Sequence, residues 1–122
     1  MIQTTLLRRF SKIAFWSAVL VAFVCAVLPN QLGPELLPWD KAQHFVAFYV
    51  LAILGAAAFP TRPLVMIGLG LSAFGALIEI VQALPIVQRD ADFWDWIADS
   101  IAILAALTPV LLTPWRRWLD NR

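Results

Sequence analysis

Four apolar runs fill most of this chain, at roughly Ile13–Leu28, Ala42–Phe59, Leu64–Leu84 and Trp96–Thr113. A helix that crosses a bilayer needs about 20 residues, within a range of about 17 to 25. The third run meets that length outright, and the second and fourth are just long enough. The first reaches it with Phe10–Lys12 as an interfacial turn, Lys12 snorkelling toward the headgroups. The runs are continuous rather than alternating, which excludes a closed barrel. Backbone groups in lipid must be paired within their own segment, so the runs predict helices. The expected fold is all-α: one four-helix transmembrane unit over residues 1–122, with helices at about 11–28, 42–59, 64–84 and 96–113.

Composition leads to the same place. Of 122 residues, 61% are hydrophobic and 14% charged, and the mean hydropathy is +0.80. A soluble domain of this size could not cover so much apolar surface. The net charge of +1, with no basic stripe, gives no reason to expect nucleic acid as a partner. The single cysteine, Cys25, excludes an intrachain disulfide. Arg8, Arg9 and Lys12 before an apolar stretch imitate a signal peptide. Val24 stands before Cys25 where a lipobox needs a small residue. With three more spans behind it, the first run is expected to be an uncleaved anchor.

Lysines and arginines in short loops set orientation. With a cytoplasmic N-terminus, Arg8, Arg9, Lys12, Arg62, Arg116, Arg117 and Arg122 lie inside, and only Lys41 and Arg89 lie outside. Both termini are therefore expected in the cytoplasm. Trp39, Trp94 and Trp96 then fall at the outer interface, and Trp115 and Trp118 at the inner one, as in an aromatic belt. Pro60-Thr61-Arg62-Pro63 makes a tight inner turn.

Polar residues gather where the runs meet the outer side. Asp40, Lys41 and His44 open the second run, Glu79 and Gln82 close the third, and Arg89, Asp92, Asp95 and Asp99 lead into the fourth. Ionisable groups in a membrane segment are expensive and point to function. By helical rise, Glu79 sits about 7 to 8 Å inside Leu84, and Asp99 about 4 to 5 Å inside Trp96. Gly68, Ser72, Gly75, Glu79 and Gln82 share one helix face, as do Asp92, Asp95, Asp99, Ala102 and Ala106. Asp40, His44, Ala47, Leu51 and Gly55 lie roughly on a third. Small residues on such faces favour close helix contact, so the polar groups are expected to face one another. Simpler roles compete. Asp40, Lys41 and Arg89 suit solvated interfacial charges, Asp92 and Asp95 suit helix capping, and His44 suits a core hydrogen bond. Glu79 has the weakest purely structural explanation.

The order Asp40-Lys41-Ala42-Gln43-His44-Phe45, then Glu79-Ile80-Val81-Gln82, then Arg89 and Asp95, resembles the VanZ-like family of small bacterial membrane proteins. That family's pattern is Asp-Lys-x-x-His, Glu-x-x-Gln, Arg and Asp-x-x-x-Asn before a Gly-containing helix. The likeness covers about residues 39–105. It departs at Asp99, where the family has Asn, and at Ala102, where it has Gly. The resemblance implies a multi-pass protein of the bacterial inner membrane, connected with the envelope and, through the family's name-giving member, with teicoplanin resistance.

Three functional readings follow. In the first, Asp40, Lys41, His44, Glu79, Gln82, Arg89, Asp95 and Asp99 form an outer-leaflet pocket for an anionic lipid or polyprenyl phosphate-linked precursor. Lys and Arg would hold phosphate. In the second, His44 and Glu79 are the acid/base pair of a hydrolase or transferase acting on a lipid-linked substrate. The third, a proton-coupled transporter working as a homo-oligomer, lacks an inner half-path. One histidine and a remote cysteine argue against zinc, and no cofactor is expected. Magnesium held by carboxylates and a substrate phosphate stays open.

Overall fold

The computed structural model describes residues 2–28, 40–87, 89 and 91–120, with the backbone alone at residue 40. These residues fold into α1 (Ile2–Val27), α2 (Asp40–Ala58), α3 (Leu64–Gln82), α4 (Phe93–Leu111) and α5 (Trp115–Asp120), with one 3-10 turn at Pro85–Val87. The described part is helical, and α1 to α4 are long and apolar enough to cross a membrane. Nineteen residues in each of α2, α3 and α4 give about 28 Å of helix, close to the hydrocarbon thickness of about 30 Å.

Helix boundaries differ from the sequence reading at both ends of the chain. Helix α1 begins at Ile2, so Arg8, Arg9 and Lys12 lie within the helix and Phe10–Lys12 is no separate turn. Helix α4 begins at Phe93 and ends at Leu111, three residues earlier than expected at its start. The third helix stops at Gln82, two residues short of its expected end, and a 3-10 turn follows at Pro85–Val87. The short α5 has no counterpart among the four expected helices. Pro114 starts it by accepting from Arg117 N and Trp118 N, as its fixed backbone angle favours.

Helices α2 and α4 form the centre. Each lies against the other along most of its length, with α1 beside α2 and α3 beside α4. Their contact faces bury small side chains, Ala52 and Ala56 on α2 and Ala102 and Ala106 on α4. Small residues let backbones approach, the main source of helix adhesion when lipid removes the hydrophobic drive. Phe48, Leu51, Leu71, Ile78, Ile103, Leu107 and Val110 complete the core. The outer faces are apolar as well: Phe10, Ile13, Leu20, Val65, Leu69, Ile80 and Leu104 are all exposed. That exterior suits lipid.

Glycine has a specific use at Gly75. A Cβ there would lie 2.9 Å from Asp99 Oδ2 and 3.4 Å from Phe48 Cζ and Trp96 Cδ1. The bare backbone of α3 is what admits the Asp99 carboxylate. At Gly70, by contrast, a Cβ would meet nothing within 4 Å.

Arg116 joins α5 to the end of α2. Its Nε donates to Ala56 O at 3.0 Å, and one terminal nitrogen donates to Phe59 O at 2.7 Å and Arg62 O at 2.6 Å. Ala56 O belongs to the last turn of α2, where carbonyls lack helical partners, and a guanidinium there also complements the helix dipole. Burial holds Arg116 below its ordinary pKa, opposed by the charge of Asp120. The same end holds Lys12, whose ammonium stands 5.7 Å over the Phe59 ring.

Two expectations follow. Gly75→Ala should lower stability by about 1 to 3 kcal/mol through overpacking, whereas Gly70→Ala should leave it nearly unchanged. Thermal unfolding in detergent, followed by tryptophan fluorescence, separates the two. Arg116→Ala should cost about 2 kcal/mol, the scale of a charged hydrogen-bond donor lost from partly buried carbonyls. Arg116→Lys should recover only part of it, because an ammonium lacks the planar fork.

Candidate functional site

At the other end of the bundle, helix phase brings polar side chains of α2, α3 and α4 together. On α4, positions 92, 95, 99, 102 and 106 repeat at helical spacing, and Asp95, Asp99, Ala102 and Ala106 are buried. Asp99 has no exposed surface and Asp95 only 3%. Charged carboxylates at such sites require partners, and α2 supplies them.

His44 Nδ1 lies 3.1 Å from Asp99 Oδ1, a donor–acceptor pair across the α2–α4 contact. Its other nitrogen, Nε2, lies 3.7 Å from Asp95 Oδ2. Lys41 Nζ stands one turn earlier, 2.8 Å from Asp92 Oδ2 and 3.3 Å from Asp95 Oδ1. Asp95 thus shows one oxygen to Lys41 and the other to His44. Asp92 is the N-cap of α4, accepting from Trp94 N at 2.9 Å. The hydrogen bond from Lys41 holds Asp92 below the usual carboxylate range, helped by the Trp94 N–H. Its stabilising contribution is therefore complete above the ordinary value of 3.8 and fades as pH falls through the lower folded value.

Helix α3 packs against both α4 and α2 and completes the cluster. Glu79 Oε2 accepts from the backbone N–H of Asp92 at 2.8 Å. Its Oε1 is sealed from solvent and accepts no hydrogen bond from a described group. One ligand atom from each of His44, Glu79 and Asp95 lies within 4.8 Å of the other two. Below them, Ser72 and Ser100 share a hydrogen bond at 3.0 Å, and Trp96 Nε1 donates to Ser72 O at 3.0 Å. Trp96 therefore turns inward onto α3. Trp94 and Trp118, by contrast, are exposed.

The structure thus brings Lys41, His44, Glu79, Asp95 and Asp99 together and adds Asp92. Two other expected members turn elsewhere. Arg89 donates to Leu28 O at 2.9 Å, and Gln82 donates through Nε2 to Ala26 O at 2.9 Å. Both satisfy carbonyls at the end of α1, so their demonstrated contacts tie α1 to the bundle. The side chain of Asp40 and the position of Trp39 lie outside the described residues. The depth order also reverses. Asp99 is six residues inside the start of α4, about 9 Å along the helix, and Glu79 is three residues from the end of α3, about 4 to 5 Å. Asp99, rather than Glu79, is the most enclosed carboxylate of the cluster.

In comparisons with known proteins, no family model matches this chain, and no curated protein or solved structure matches it.

Removing one member of a buried charge network strands the others. Lys41→Met should destabilise the protein by leaving Asp95 without its ammonium, and adding Asp95→Asn should restore part of the loss. The two charged groups are in contact, so a coupling between the two substitutions is expected. A double-mutant cycle on thermal stability measures it, and strict additivity would show that the pair is not coupled.

Proposed function

We propose that this protein is a VanZ-like protein of the bacterial inner membrane that binds an anionic envelope lipid or a lipid-linked precursor in its outer leaflet. In this reading both termini face the cytoplasm and the layer of Lys41, His44, Glu79, Asp92, Asp95 and Asp99 lies at the extracytoplasmic side. Lysine and arginine bias supports that orientation. So does the gathering of Lys12, Arg62 and Arg116 at the opposite end of the bundle.

The observation that carries the reading is a groove of about 440 Å³ between α2 and α4, lined by Lys41, Ala42, Phe45, Val46, Ala98 and Ile101. Its walls are apolar except for Lys41. An acyl or prenyl chain fits such walls, and an ammonium at the groove is a point charge suited to phosphate. Lys41 and Asp92 are partly exposed, with side-chain exposures of 33% and 40%. Ion pairs this open are weak, so the ammonium can exchange Asp92 for a headgroup. Lys41 rather than Arg89 is the phosphate-facing cation, because Arg89 is engaged by Leu28 O. A role in the envelope of this kind would connect with the glycopeptide resistance that the family resemblance implies.

A second reading makes His44 and Glu79 the acid/base pair of a hydrolase or transferase on the same class of substrate. It is favoured by the approach of their ligand atoms to within 4.8 Å. Product formation by purified protein, abolished in Glu79→Gln, would select it over binding alone.

Lipid binding is tested by native mass spectrometry of detergent-solubilised protein with added phosphatidylglycerol or undecaprenyl phosphate. Lys41→Ala and Ala98→Trp should each weaken binding about tenfold or more, the first by removing the charge and the second by filling the groove. Undiminished binding in both variants would refute the site.

A further inference from the structure

The three-helix junction has a feature that lipid binding does not use. Glu79 Oε1 is buried with no hydrogen bond from a described group, although the same carboxylate is held in place through Oε2 by Asp92 N–H. An acceptor oxygen enclosed in this way is unfavourable unless a hydrogen-bond donor or a cation meets it. Facing it are His44 from α2 and Asp95 from α4, with one ligand atom of each residue within 4.8 Å of the others.

From this convergence we infer that His44, Glu79 and Asp95 form a binding site for a first-row divalent cation such as zinc, cobalt or manganese. One imidazole nitrogen and two carboxylates from three different helices make a borderline donor set suited to these ions. Ligand atoms around such an ion stand about 3 to 3.5 Å apart when each bond is about 2.0 to 2.2 Å. The His44 Nε2 to Asp95 Oδ2 distance of 3.7 Å is already close to this. Bringing in Glu79 asks for a contraction of about an ångström.

Two further contacts fit. His44 Nδ1 is directed at Asp99 Oδ1 at 3.1 Å. A carboxylate on one imidazole nitrogen fixes the ring and strengthens the other as a ligand, a common arrangement behind metal-bound histidines. Asp95 meets Lys41 with Oδ1 and faces His44 Nε2 with Oδ2, so the oxygen turned to the site is not the one turned to the lysine. Charge agrees as well. Among the described residues, ionised Glu79, Asp92, Asp95 and Asp99 carry four negative charges against the two of Lys41 and Arg89, and Arg89 is turned to Leu28 O. A divalent ion balances the remainder. Three protein ligands leave a position for water or an anionic oxygen. The site is independent of the lipid reading, since its ligands do not line the α2–α4 groove.

The test uses full-length protein carrying no histidine tag, stripped with chelator in detergent and then titrated with Co²⁺ and Zn²⁺ in the absence of added lipid. Visible absorption of cobalt and metal analysis after desalting should both give one ion per chain. Glu79→Gln and His44→Ala should each weaken binding at least tenfold, and Asp99→Asn should weaken it about tenfold by loosening the histidine. Glu79→Gln keeps an oxygen for Asp92 N–H and so reports on the site even where His44→Ala fails to fold. Wild-type binding no greater than that of Glu79→Gln, or no binding of either ion, overturns the inference. Because no lipid is present, the result is separate from the lipid-binding measurement.

Discussion

The hydrogen-bonded contact between His44 and Asp99 is the constraint on which the rest of the bundle turns. A carboxylate with no exposed surface, in a bundle whose exterior is apolar, is tolerable only when a partner is held in register with it. That register fixes how α2 sits against α4. It sets Lys41 one turn away beside Asp92 and Asp95, and it aligns the small residues of both helices farther along. Gly75 then becomes necessary on α3, since any Cβ would meet the second oxygen of Asp99. Packing and polar chemistry are one arrangement here, not two.

The two ends of the bundle solve the same problem differently. At the α5 end, a single arginine gathers three carbonyls at and beyond the end of α2. At the other end, Arg89 and Gln82 do this for α1, while the acidic groups of α4 are met by Lys41 and His44. Arg89 and Arg116 meet backbone carbonyls, and Lys41 meets carboxylates. What is left is a layer with more negative than positive charge and an apolar groove beside it, a combination that suits a cation within the layer and a lipid against its edge.

Much of this was legible in the sequence, for stated reasons. Four runs of spanning length require helices in lipid, and the 3-4 spacing of Asp92, Asp95, Asp99, Ala102 and Ala106 identifies the buried face of α4. Asp92 suits a cap as an acidic residue just ahead of an apolar run, and it is the N-cap of α4. Other features have no local signature. Arginine side chains are long, so position alone does not tell whether Arg89 reaches a carboxylate or a carbonyl. Six residues of α5 are too few to show a period. The start of α4 at Phe93 rather than Trp96 reverses the apparent depths of Glu79 and Asp99, because hydropathy marks where a run becomes apolar and not where its helix begins. The mixed donor set of His44, Glu79 and Asp95 comes from three helices, and counting histidines and cysteines along the chain cannot reveal it.

His44 is the only histidine, so its ring nitrogens can be labelled without ambiguity. Solid-state NMR of the protein in bilayers, with ¹⁵N-histidine and aspartate ¹³C-labelled at the carboxyl group, measures its proximity to Asp99 directly. The structure, with Nδ1 at 3.1 Å from Asp99 Oδ1, predicts strong dephasing of the Nδ1 signal by a carboxyl carbon and loss of that dephasing in Asp99→Asn. An Nδ1 signal without dephasing, or dephasing that persists unchanged in Asp99→Asn, would contradict the account.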